Sequence, residues 1–100
     1  MAVNQLRIVV SILKELSEGS MPKAEDYGIE KEIYYNILDI MQDARLLKNV
    51  KISRGKNRKV ILANLDGAQV TIHGLEYLNE NSALMKTYKG LKEVREWLPF

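Results

Sequence analysis

Residues 50–63 read Val50-Lys51-Ile52-Ser53-Arg54-Gly55-Lys56-Asn57-Arg58-Lys59-Val60-Ile61-Leu62-Ala63. Val50 and Ile52 alternate with Lys51 and Ser53, the period of two that turns one side of a strand toward a core. Val60-Ile61-Leu62-Ala63 is a second β-prone run. The segment between them holds Gly55 and Asn57, residue types that accept the positive φ angles of a hairpin tip. The stretch predicts a β-hairpin with a basic tip formed by Arg54, Lys56, Arg58 and Lys59, with Lys51 one strand-length away.

Upstream of the hairpin the period is 3.6. Ile33, Ile37, Leu38 and Met41 fall on one face of a helix over about 30–44, with Tyr34 at its edge. Lys31, Glu32, Tyr35, Asp39, Gln42 and Asp43 fall on the other, and Leu46 and Leu47 pack at its end. Leu6, Val9, Val10, Leu13 and Leu16 mark a first helix over about 5–18, with Asn4 as N-cap and Gly19 as stop. Between these two helices, Ser20-Met21-Pro22 starts a short second helix with proline in its first turn, and Tyr27-Gly28 ends it.

Downstream, Asp66-Gly67 signals a turn before a short strand through Val70. Thr71 is placed to cap a helix carrying Leu75 and Leu78, with Tyr77 beside them. Asn79 to Ser82 break that helix. Ser82 caps a last one carrying Leu84, Tyr88, Leu91, Val94 and Leu98.

The order helix, short helix, helix, hairpin, helix, helix predicts a mainly α fold with a small β-hairpin. It is the order of a winged helix-turn-helix with a C-terminal helical extension. Residues 1–100 read as one domain, its core at about 5–80 and its C-terminal helix at about 82–98.

Composition narrows the function classes. The hydrophobic fraction of 46% and the charged fraction of 28% are those of a globular domain. There is no cysteine, so no disulfide, thiolate metal site or cysteine nucleophile is expected, which fits a cytoplasmic protein. The most apolar stretch, Leu6 to Leu13, is interrupted by Arg7 and Ser11. It is too short to span a bilayer, and no membrane partner is expected.

The net charge of +2 conceals an asymmetry. Residues 1–48 carry six basic and eight acidic side chains, and residues 66–100 carry four and five. Residues 49–65 carry five basic side chains and no acid, so the whole positive excess lies in the hairpin.

Three further stretches carry a family likeness: Ile12-Leu13-Lys14-Glu15-Leu16 with Glu18-Gly19; Thr71, Gly74, Tyr77-Leu78 and Glu80-Asn81; and Lys86, Tyr88-Lys89, Leu91-Lys92-Glu93-Val94 and Trp97-Leu98. On these the chain resembles the YjcQ-like family of small bacterial and phage winged-helix proteins. The third stretch is the most specific, whereas Thr-x-x-Gly-x-x-Tyr-Leu follows the wing in many winged-helix regulators. The resemblance implies a winged-helix fold and supplies no active-site residues. The chain departs from the pattern at Glu30, where a Ser, Thr, Asp or Asn cap is usual, and at Ala44-Arg45, where a glycine is usual.

No catalytic constellation stands out, and a binding protein rather than an enzyme is expected, with no cofactor and no metal. The single histidine, His73, rules out a histidine cluster. Asp39 and Asp43 are four residues apart on a helix but have no third ligand type nearby, which reads as a solvated face. No glycine-rich phosphate loop precedes a helix.

Two constellations remain. The basic hairpin, with Lys51, Arg54, Lys56, Arg58 and Lys59, suits DNA phosphates, since each phosphate neutralised releases a counterion. Lys31, Tyr35 and Asn36, in the N-terminal half of the third helix, are the candidates for base edges. Glu30, Glu32, Asp39 and Asp43 on the same helix oppose such an approach. The alternative they leave open is a protein-interaction module whose wing meets an acidic partner.

The second constellation is the last helix, where Leu84, Tyr88, Leu91, Val94, Trp97 and Leu98, with Phe100, form an apolar and aromatic stripe suited to a homodimer interface. A dimer would present two wings to a palindromic site.

Overall fold

The computed structural model describes residues 3–98. Its elements in chain order are α1 (Val3–Ser17), α2 (Ala24–Tyr27), α3 (Lys31–Asp43), β1 (Leu47–Lys48), β2 (Lys51–Arg54), β3 (Val60–Asn64), β4 (Gln69–Val70), α4 (Ile72–Glu80), α5 (Ser82–Thr87) and α6 (Val94–Trp97), with 3-10 turns at Lys56–Arg58 and Leu91–Glu93. The chain is mainly α with a small β-hairpin, an arrangement compatible with a winged helix.

Helix α1 carries the core. Ile8, Val9, Val10, Ile12 and Leu13 are each at most 2% exposed. The helix is already running at Val3, so Asn4 lies inside it rather than capping it. Gly19 ends it with φ 89°, and the Ser20 N–H donates to the Glu15 carbonyl at 2.8 Å.

Pro22 precedes α2 instead of opening it. Lys23 is the N-cap, and its N–H donates to the Asp26 carboxylate at 2.7 Å. The reason is the Pro22 carbonyl, which accepts from the buried Tyr34 hydroxyl at 2.6 Å and holds that residue in the loop.

Helix α3 buries Tyr34, Ile37, Leu38 and Met41, whereas Ile33 is 44% exposed. Tyr34 rather than Ile33 faces the core because its ring packs 6.0 Å from that of Tyr27, also buried. The helix ends without glycine. Arg45 takes the left-handed position at φ 63°, with Arg45 N–H on the Gln42 carbonyl and Leu46 N–H on the Met41 carbonyl, both 2.9 Å. That pair of bonds is the Schellman closure.

The β1–β4 and β2–β3 pairs are the two ends of one antiparallel ribbon. Leu47 pairs with Val70 and Lys48 with Gln69; after a break, Lys51 pairs with Asn64, Ile52 with Ala63 and Ser53 with Leu62. Asn49, in the left-handed region at φ 63°, sits at the break. The pairing of β1 with β4 closes the base of the ribbon, and the sequence pattern did not reveal it.

Thr71 caps α4 as its sequence predicts, its hydroxyl accepting from Gly74 N–H at 3.0 Å. Leu75 does not pack inward: it is 51% exposed. Gly74 takes the inner position, against the Leu46 carbonyl, where the helix comes too close for a side chain.

The expected last helix over 82–98 is two short helices. Its path turns at Tyr88 to Gly90, with φ 97° at Gly90. The turn folds the tail back onto α1 and α2. Arg95 donates to the Glu25 carbonyl at 2.7 Å, Trp97 Nε1 donates to Thr87 Oγ1 at 2.8 Å, and Arg7 lies over the Trp97 ring, 5.4 Å from its centroid.

Candidate nucleic-acid interface

The wing tip does not draw on glycine torsion at Gly55. Gly55 has φ −103°, an ordinary value, but a Cβ there would stand 2.5 Å from Ile61 Cδ1. The positive φ angles expected of the tip fall on Asn57 (60°) and Arg58 (63°). Gly55 N–H closes the loop on the Lys59 carbonyl at 2.8 Å. Across the ribbon Arg54 faces Val60, leaving Ile61 as a bulge. Lys51, Arg54, Lys56, Arg58 and Lys59 are all exposed.

The wing is fastened to α3 at three points. The Gln42 side-chain amide makes both bonds of a strand with Val50: its Nε2 donates to the Val50 carbonyl at 3.1 Å, and the Val50 N–H donates to its Oε1 at 2.7 Å. Gln42 is therefore occupied and does not present its amide to solvent. Arg54 Nη2 lies 2.6 Å from Asp39 Oδ1, and Lys59 Nζ lies 3.0 Å from Glu32 Oε1.

These two pairs revise the electrostatics read from sequence. Glu32 and Asp39, which weigh against phosphate contact, are neutralised by wing cations. Lys31, Lys51, Lys56 and Arg58 form no ion pair among the described residues. Arg54 is further held by a bond from its Nη1 to the Arg58 carbonyl at 3.1 Å, which fixes the tip.

The three base-edge candidates do not share a face. Lys31 and Tyr35 line a shallow depression of about 360 Å³ with Glu32, Lys59, Val60 and Ile61, beside the wing. Asn36 is five residues from Lys31, about 140° around the helix. It lies on an outer stripe with Ile33 and Ile40, which are 44% and 48% exposed. Sequence reasoning missed both isoleucines as surface residues: Ile33 fitted the apolar face, and Ile40 carried no distinguishing signal.

The residues expected to meet a second copy are used inside the chain. Val94, Trp97 and Leu98 are 1%, 6% and 2% exposed, and Leu84, Tyr88 and Leu91 pack partly buried against the same core. This corrects the stripe's reading as an open surface; Phe100 lies outside the described residues. The Tyr88 ring meets Trp97 edge-on at 4.8 Å, and its hydroxyl reaches both Ser11 and Glu15. Ser11 also bonds the Tyr27 hydroxyl at 2.9 Å.

Burial pushes the phenols of Tyr27, Tyr34 and Tyr88 well above the ordinary tyrosine value, because it disfavours the charged phenolate. Asp26 adds repulsion at Tyr34, and the bond to Glu15 holds the proton on Tyr88.

Among the described residues no three His, Asp or Glu side chains converge on a point that could hold a metal ion. No described helix is long and apolar enough to cross a membrane. An open depression of about 790 Å³ is lined by Leu16, Arg45, Val70, Ile72, His73 and Leu75 among others.

The family model described as YjcQ protein matches residues 10–97, and the chain belongs to this family. A relative from Bacillus subtilis (strain 168), the uncharacterized protein YjcQ, is 28% identical over 97 residues, which are 96% of this chain and 99% of the relative. No solved structure matches significantly.

Proposed function

We propose that this YjcQ-family chain binds duplex DNA, gripping phosphates with its wing, and serves as a cytoplasmic transcriptional regulator rather than an enzyme. The observation that carries the reading is the division of labour among the wing cations. Arg54 and Lys59 cancel Asp39 and Glu32, while Lys56 and Arg58 stand free at the tip with Lys51 behind them. The net result is a positive ridge beside a helix stripped of half its opposing charge, and such ridges bind DNA by releasing counterions. The Gln42–Val50 clamp supports it by holding ridge and helix in one orientation.

A second reading rests on the exposed Ile33 and Ile40. An apolar stripe on a helix also suits a protein partner, in which case the wing meets acidic side chains instead of phosphates.

The test is fluorescence anisotropy of a labelled random duplex at low and physiological salt. On the DNA reading, affinity falls with salt on a log–log slope of several units, and Lys51→Ala, Lys56→Ala and Arg58→Ala together reduce that slope by about 2–3. Absence of binding at low salt would overturn the DNA reading and favour the protein partner.

A further inference from the structure

We infer that the outer face of α3 selects A·T base pairs in the major groove, with Asn36 on an adenine edge and Ile33 and Ile40 against thymine methyl groups. The inference rests on the duplex-binding reading above and specifies its sequence class.

The stripe Ile33-Asn36-Ile40 has the spacing of one helix face, and all three side chains are exposed. Ile33 and Ile40, 44% and 48% exposed on one face, leave much of their apolar surface in water. In the major groove, thymine alone presents a methyl group, and the adenine edge offers the N6 donor and N7 acceptor that an asparagine amide matches bidentately. An amide between two branched apolar side chains is thus the chemical complement of a short A·T run. Ile33 and Ile40 are seven residues apart, about 10 Å along the helix, which is the height of about three base pairs.

What the stripe lacks points the same way. Guanine is read by Arg or Lys on O6 and N7, and the nearest cation on the helix, Lys31, faces the wing-side depression. The carboxylates flanking the stripe, Glu32 and Asp39, are engaged by Lys59 and Arg54. Asp43 continues the stripe one turn further and is exposed. Its charge keeps the last residues of the helix away from phosphate, so the two turns from Ile33 to Ile40 do the reading.

The experiment compares four labelled 16-base-pair duplexes under one salt condition: A·T-rich, G·C-rich, mixed, and the A·T-rich duplex with uracil in place of thymine. The uracil duplex keeps every hydrogen-bonding group and loses only the methyls. The expected result is about tenfold tighter binding to the A·T-rich duplex than to the G·C-rich one, and a several-fold loss on uracil substitution. Asn36→Ala lowers the A·T preference to the part that uracil substitution abolishes. Ile33→Ser with Ile40→Ser removes the uracil sensitivity; both variants change exposed side chains, and circular dichroism confirms their fold.

Equal, salt-dependent affinity for all four duplexes overturns this inference and leaves the wing grip standing. An A·T preference that survives Asn36→Ala and ignores uracil also overturns it, assigning the preference to a narrow minor groove met by the wing. Binding to no duplex overturns the DNA reading and this inference together, and leaves the stripe to a protein partner.

Discussion

The Gln42 amide holds the Val50 backbone as a neighbouring strand would, accepting from its N–H and donating to its carbonyl. This occurs at the break in the ribbon, where Val50 has no partner strand and its side chain is only 6% exposed. Removing the amide leaves two backbone groups without partners in a partly buried site. Gln42→Ala is expected to cost about 1–3 kcal/mol, the cost of desolvating an unpaired donor and acceptor. Gln42→Glu restores acceptance from Val50 N–H but cannot donate to the carbonyl, so it falls between the two in urea denaturation. If Gln42→Ala unfolds at the same midpoint as the parent, the clamp contributes nothing and the wing is held by its ion pairs.

On the duplex-binding reading, Asp39 competes with phosphate for Arg54. The pair is partly exposed, with the Arg54 side chain 42% and the Asp39 side chain 17% exposed, and pairs near the surface contribute about 0–1 kcal/mol to stability. Asp39→Asn is therefore expected to leave the thermal midpoint nearly unchanged. It frees one cation and removes one repulsive charge, so duplex affinity at low salt rises and the log–log salt slope steepens by about one unit. Tighter binding with no change in slope would show that Arg54 stays on the Arg58 carbonyl and that Asp39 acted only by repulsion.

Gly74 belongs to a different kind of constraint. An added Cβ would stand 2.4 Å from the Leu46 carbonyl oxygen and 2.7 Å from Val70 Cγ1. The Leu46 carbonyl is backbone and already accepts from Thr71 N–H at 3.1 Å, so it cannot give way cheaply. The usual gain from Gly→Ala in a helix, about 1 kcal/mol, is expected to be reversed. Gly74→Ala should destabilise by about 1–3 kcal/mol, the range of overpacking. An increase in melting temperature would mean that α4 moves freely off the ribbon base.

What the sequence made legible was local. Thr71 as cap, Gly28 and Gly19 as helix stops and Asn57 as a turn residue each follow from the torsions or bonds of one residue and its near neighbours. The limits of α3 were legible because Ile37, Leu38 and Met41 keep a helical period over its length. The misses required distant partners. Ile33 and Tyr34 are adjacent and both apolar enough for a core; only the packing against Tyr27 and the bond to Pro22 decide between them.

The last helix failed for a similar reason. Leu84, Tyr88, Leu91, Val94 and Leu98 keep a helical period, but Gly90 in their midst costs an isolated helix about 1 kcal/mol. The tail gains more by turning there to place Tyr88 on Ser11 and Trp97 beside Arg7. The charge content of the candidate interface was visible from the start. Its pairing was not, since Arg54–Asp39 and Lys59–Glu32 join residues 15 and 27 apart that only the docked wing brings together.

The buried tyrosines set the alkaline limit of the fold. Tyr27 and Tyr34 are 1% and 4% exposed, and burial raises both phenols above the ordinary value near 10. Below pH 10 the folded and unfolded chains hold the same phenolic protons, so stability is independent of them. Above it the unfolded chain releases protons that the folded chain keeps, and stability falls by about 1.4 kcal/mol per pH unit for each such tyrosine. Two tyrosines give a slope near 2.7 kcal/mol per pH unit, steep against the 5–15 kcal/mol typical of a domain's total stability. Phenolate absorbance near 295 nm should therefore rise in a cooperative step coincident with loss of helical circular dichroism. Tyr34→Phe, which also frees the Pro22 carbonyl, should lower stability at neutral pH yet flatten its alkaline slope. A smooth titration of all tyrosines near pH 10 with the helix signal intact would show that these hydroxyls reach solvent without unfolding.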